Sequence, residues 1–264
     1  MPPTPQDHSR VTRVVHSVTL FASNAVPMVG WFFQDWSPAT TLVVYWSETV
    51  AALLFIYARG VLHQRWNPRR GHFRYAAPSG QGAQGSFISG FARTSFAFTA
   101  GHGFFIAVAV FVLSHNGYAG TLGLDWRAAG IGSVQVFAIV AADFLADLPY
   151  LRSWSFAQLE QTANRSFGRI GLMHFTLIFG MFGAAVTDSP SGLFSVFVTL
   201  KALYSLSTAL PQWEPKTPPA WLSRAMNRLR PQPEGKRFED IWVKDQHTEV
   251  ARRKRNEQAW TGAH

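Results

Sequence analysis

Seven polar side chains interrupt otherwise apolar stretches of this sequence: Asn24, Tyr45, Glu48, His102, Asp143, His174 and Lys201. An ionisable group surrounded by apolar residues is costly to bury, so each is a candidate for function before it is a candidate for packing. Three chemistries fit these residue types. Glu48 and Lys201 have opposite signs and suit an ion pair. Histidine and carboxylate together suit a proton relay. His102, His174, Glu48 and Asp143 are the residue types of a metal site, but they are only weak candidates for one. They come from four separate segments, and no H-E-x-x-H or similar ligand spacing occurs. No cofactor is expected. The chain also lacks a G-x-S-x-G elbow, and its glycine-rich loop, Pro78 to Ser86, follows no strand and carries no G-K-[ST].

These residues must be positioned by helices. A bilayer core about 30 Å thick is crossed by roughly 20 apolar residues in a helix. Six segments meet that length: Val14–Phe33, Thr40–Tyr57, Phe91–Leu113, Ile131–Leu148, Ile170–Val186 and Leu193–Leu210. The expected fold class is therefore all-α, a polytopic transmembrane bundle of about six spans. Counting roughly 1.5 Å of rise per residue puts Glu48 and Lys201 at matching depths, each roughly 12 Å from the outer end of its span, with His102 near the same level. Asp143 and His174 fall nearer the opposite side, with Asp147 one turn beyond Asp143. Thr41, Tyr45 and Glu48 share one helical face, as do Ser95, Thr99 and His102. Those faces are expected to point into the bundle. His102, between Gly101 and Gly103, also suits a plain core histidine, and Gly180 with Ala184 suits plain helix packing.

Charge sets the orientation. Arg10 and Arg13 precede the first span. Arg59, Arg65, Arg69, Arg70, Arg74 and Arg93 surround the second connection. Arg152, Arg165 and Arg169 mark the fourth, and a basic tail follows the last span. The intervening connections hold one basic residue, Arg127. Lys and Arg concentrate on the cytoplasmic side, so both termini are expected in the cytoplasm. Trp31, Trp36 and Trp126 then fall at the outer interface, and Trp66, Trp154 and Trp213 at the inner one.

Composition agrees. Only 15% of the 264 residues are charged, against 47% hydrophobic, where a soluble domain carries about 25% charged. The mean hydropathy of +0.02 is low because residues 62–86 and 211–264 are polar. The absence of Cys excludes disulfides and thiolate metal sites. The net charge of +9 sits between and after the apolar segments. Its expected partner is therefore anionic lipid headgroups, met by the basic loop 59–74 and tail 211–264, and not nucleic acid. The opening MPPTPQDHSR is too polar for a cleaved signal peptide.

The organisation read from this is an N-terminal cytoplasmic segment (1–13), a six-helix membrane domain (14–210) and a basic cytoplasmic tail (211–264). Residues Ser155–Asn164 suit a short surface helix. In the tail, Trp221, Leu222, Met226 and Leu229 share a helical face between Pro219 and Pro231, which suits an interfacial amphipathic helix. A solvated, unstructured basic tail is the alternative.

The motifs resemble those of an uncharacterised family of prokaryotic multi-pass membrane proteins, a domain of unknown function. The second span carries YWSET (Tyr45 to Thr49), the third FTAGHGFF around His102, and the fifth RIGLMHFTLIFGMFG from Arg169 through His174. Asn24, Pro27 and Gly30 in the first span and TLKAL around Lys201 in the last belong to the same pattern. The likeness covers about Val14–Leu210 and departs from it at Thr49, where Asn is the family's residue. It implies fold and location only, in the plasma (inner) membrane. The functional expectation is a non-catalytic membrane scaffold or regulatory partner. The alternatives are a small transporter, channel or proton-coupled protein and, next, a metal-dependent intramembrane enzyme.

Overall fold

The computed structural model describes residues 5–78, 85–115, 123–165, 195–203 except 197, 215, 217–229 and 237–262. Every regular element among them is helical; one isolated antiparallel bridge joins Arg69 to Ala259. The labelled helices are α1 (Pro5–Phe33), α2 (Pro38–Trp66), α3 (Arg70–Phe73), α4 (Phe87–His115), α5 (Trp126–Asp147), α6 (Ala220–Leu229) and α7 (Phe238–Glu257). Residues 156–165 and 198–203 are also helical. The fifth expected span, Ile170–Val186, lies outside the described residues.

The helix starts follow local chemistry. Ser37 Oγ accepts from Thr40 N at 3.1 Å, and Pro38 opens α2, where a missing N–H costs nothing. Asp125 caps α5 by accepting from the amides of Arg127 (2.9 Å) and Ala128 (3.0 Å). α2 and α5 are both long and apolar enough to cross a membrane.

The chain divides into two compact units. The first contains residues 1–67, 88–154 and 158–210. In it α5 packs against both α1 and α2. Gly132 on α5 permits that approach: a Cβ there would lie 2.6 Å from Trp36 and 2.9 Å from Val44. α4 meets α2 where Trp46 Nε1 donates to Thr99 O at 3.0 Å, and a Cβ on Gly103 would lie 2.9 Å from the Trp46 ring. Tyr45 and Val198 are buried together against Met28, Trp31 and Leu42. Trp31 Nε1 also donates to Ser195 Oγ at 3.1 Å.

The second unit gathers three separated pieces of chain: residues 68–87, 155–157 and 211–264. Phe156 is its fully buried centre, with the rings of His72 at 5.1 Å, Phe87 at 5.4 Å and Tyr75 at 6.2 Å. Buried Asn256 on α7 grips Ala76 from both sides. Its Oδ1 accepts from Ala76 N (2.9 Å), and its Nδ2 donates to Ala76 O (3.0 Å). Arg252 donates to the same carbonyl at 2.9 Å and pairs with Glu249, holding that carboxyl below its usual range.

Several boundaries differ from those read off hydropathy. α1 begins at Pro5, upstream of the apolar segment that opens at Val14. α2 continues to Trp66, and Arg59, expected in a loop, is buried at 3% exposure within that helix. Arg59 thus belongs to α2 and not to a loop. Nor are Arg69 and Arg70 open cations. Arg69 lies 3.5 Å from Glu257, and Arg70 donates to Gln258 Oε1 at 3.1 Å. In all three cases the guanidinium meets a carboxylate or amide oxygen. The amphipathic segment is helical as α6, whereas α7 was not anticipated. Its polar sequence has no apolar stripe, and side-chain hydrogen bonds hold it instead.

Candidate functional site

The first unit holds two separate ionic clusters. In one, Lys201 Nζ donates to Glu48 Oε2 at 2.5 Å, with both side chains 7% exposed. The ammonium also lies 3.7 Å from the centre of the Tyr45 ring. Tyr45 thus presents its π face to the cation. Thr41, Tyr45 and Glu48 are all buried, as their shared face requires.

The other cluster joins α1, α2 and α5. Arg59 Nη2 lies 2.9 Å from Asp143 Oδ2 and 2.7 Å from Asp147 Oδ2, and Arg59 Nε donates to Asp147 Oδ2 at 2.8 Å. Asp143 Oδ1 accepts from Thr19 at 2.7 Å and lies 2.6 Å from His16 Nδ1. The remaining ring nitrogen, His16 Nε2, lies 3.1 Å from Asp147 Oδ1. The i, i+4 spacing of Asp143 and Asp147 places both carboxylates on one face of α5. Arg59 stacks over Phe144, 5.4 Å from its ring centre, which shields the guanidinium from the other side.

A scan of family models matches residues 6–228 to a model described as "Family of unknown function (DUF6498)". The chain belongs to this family. No curated protein and no solved structure matches it. Membership in DUF6498 agrees with the resemblance read from the motifs, and it assigns no chemistry.

The remaining candidates in this DUF6498 chain are dispersed. His102 is buried on α4 beside buried Ser95 and Thr99. The hydroxyls of Ser95 and Thr99 make no hydrogen bond among the described residues. Asn24 is buried on α1, and its Nδ2 donates to Leu20 O at 2.8 Å. His174 lies outside the described residues. The weak metal set is therefore not brought together among the described residues. Glu48 is engaged by Lys201, and Asp143 by Arg59, Thr19 and His16. The donor atoms of His16, Asp143 and Asp147 lie within 4.8 Å of one another. A guanidinium already occupies the far oxygens of both carboxylates, and that makes the group an ion-pair network. Sequence reading missed His16 and Arg59. Both fall near the ends of the expected apolar segments, at the level already estimated for Asp143 and Asp147, and that shared level was the available signal.

The Glu48–Lys201 pair has a double-mutant signature. Removing one partner strands a buried charge, a loss of about 3–5 kcal/mol, whereas removing both leaves no charge to neutralise. Glu48→Gln or Lys201→Met alone lowers the melting temperature and folded yield in detergent. The double change recovers a substantial part of the loss. Additive losses would show that the two charges do not depend on each other.

Proposed function

We propose that the chain is a six-span protein of the inner membrane with both termini in the cytoplasm, acting as a non-catalytic scaffold or regulatory partner. The observation that carries this reading is the make-up of the second unit. Its three pieces are the loop after the second span, the turn after the fourth and the tail after the sixth. Pieces that pack into one unit must lie on one side of a bilayer. Positive charge assigns that same side to each of them independently.

Burial in the first unit supports a lipid environment. Polar Ser23, Asn24, Thr40, Thr41 and Glu48 are buried, while Phe21, Phe104, Phe111 and Val134 are 62%, 72%, 66% and 70% exposed. Large exposed apolar surface of this extent marks contact with lipid or with partners. The ionic clusters support a structural role for the intramembrane charges, since Glu48, Arg59, Asp143, Asp147 and Lys201 all lie in ion pairs. The histidine in the inner cluster favours proton coupling as the second reading.

The partner surface proposed for the cytoplasmic unit is anionic lipid. On α6, Trp221 and Leu229 are 65% and 81% exposed, and Arg224 and Arg228 are exposed beside them. An aromatic anchor flanked by cations suits the headgroup level, where each basic residue contributes about 1 kcal/mol.

The chain has no native Cys, so single cysteines report topology without background. Cysteines at Asp35, Tyr118 and Ser189 react with an impermeant maleimide in intact cells. Cysteines at Gly82, Gln161 and His264 react only after permeabilisation. One reproducible reversal overturns the six-span arrangement.

The lipid contact has its own readout. A polarity-sensitive fluorophore on Leu229→Cys, in full-length protein in nanodiscs, shifts to the blue with phosphatidylglycerol and loses the shift in high salt. Equal spectra in anionic and zwitterionic discs would exclude the proposed docking.

A further inference from the structure

The charges of the inner cluster do not sum to zero. Arg59 supplies one positive charge against the carboxylates of Asp143 and Asp147. Asp147 is 1% exposed, and its Oδ1 accepts no hydrogen bond among the described residues. A buried carboxylate oxygen without a donor calls for a specific explanation, because such atoms are nearly always satisfied. The nearest explanation is His16. Its Nδ1 is 2.6 Å from Asp143 Oδ1, and its Nε2 is 3.1 Å from the orphaned Asp147 Oδ1.

A neutral imidazole carries one N–H and one lone pair. Bracketed by two carboxylates, it can donate to one and must turn a lone pair towards the other. An imidazolium turns an N–H towards each, and its Nε2 then meets Asp147 Oδ1 as an ion-pair contact at 3.1 Å. We propose that His16, Asp143 and Asp147 form a binding site for a single proton, held as a His16 imidazolium between the two carboxylates, with Arg59 neutralising the second negative charge. The groups facing His16 are Asp143 and Asp147 from α5, with Arg59 of α2 behind them and Thr19 on α1 itself. One proton brings the cluster to zero charge. A divalent cation would bring it to +1 beside a guanidinium that already holds the Oδ2 atoms, so a proton fits this site better than a metal. Release of the proton returns the cluster to −1 and sets a lone pair against a carboxylate where α1 packs on α5. The site therefore ties the α1–α5 contact to proton binding. All of these contacts lie inside the first unit and do not depend on the number of spans.

The test is nitrogen NMR of full-length protein in nanodiscs at pH 7, with ¹⁵N-labelled histidine rings. His16 is assigned by loss of its signals in His16→Gln. If that variant does not fold, sequential backbone connectivity to Val15 and Ser17 supplies the assignment. The expected result is two protonated ring nitrogens in the native protein, reverting to one neutral tautomer in Asp147→Asn. A neutral His16 ring in the native protein overturns the proposal. So does stoichiometric Zn²⁺ binding that disappears in His16→Gln, which would make the site a metal centre.

Discussion

A charge in an apolar interior must be neutralised where it sits, and the architecture of the first unit follows from that constraint. An unpaired Lys, Arg or Asp at the centre of a membrane helix costs at least about 2.5–3.5 kcal/mol. Glu48 and Lys201 are separated by 153 positions in sequence, yet they meet at 2.5 Å with both side chains almost fully buried. Arg59 meets two carboxylates spaced one turn apart. Each pairing brings particular helices together: α2 with the helix of residues 198–203, and α2 with α1 and α5. Apolar packing alone discriminates poorly between one helix face and another when the surroundings are also apolar. The ionic contacts supply that choice.

Some of this was legible in the sequence and some was not. The matched depths and opposite signs of Glu48 and Lys201 were readable from rise per residue, because both lie well inside apolar segments whose ends are clear. The inner cluster was only half readable. Asp143 stands out, but Arg59 lies just past the last apolar residue of its segment and reads as a loop charge. The helix does not stop where hydropathy stops: α2 runs to Trp66, and Arg59 turns inward onto α5. His16 was overlooked in the same way, as a residue at the edge of a span that begins further upstream than its apolar core.

The second unit escaped for a different reason. The periodicity that reveals a helix is an apolar stripe, and α7 has none, since its contacts to residues 69–76 run through Asn256, Arg252 and Glu257. Its buried aromatic centre combines Phe156 from one connection with His72, Tyr75 and Phe87 from another. Clusters assembled from distant pieces of chain leave no local pattern. Only α6, with Trp221 and Leu229 at helical spacing, announced itself.

The claim that paired charge organises the first unit is tested most directly at Arg59, the residue that serves two carboxylates at once. Thermal unfolding of full-length Arg59→Met in nanodiscs, compared with native protein and with Arg59→Met/Asp147→Asn, isolates that role. The account predicts a loss of about 3–5 kcal/mol for the single change, from two stranded carboxylates, and a clear recovery when one of them is neutralised. If Arg59→Met melts with the native protein, paired charge does not hold these helices together.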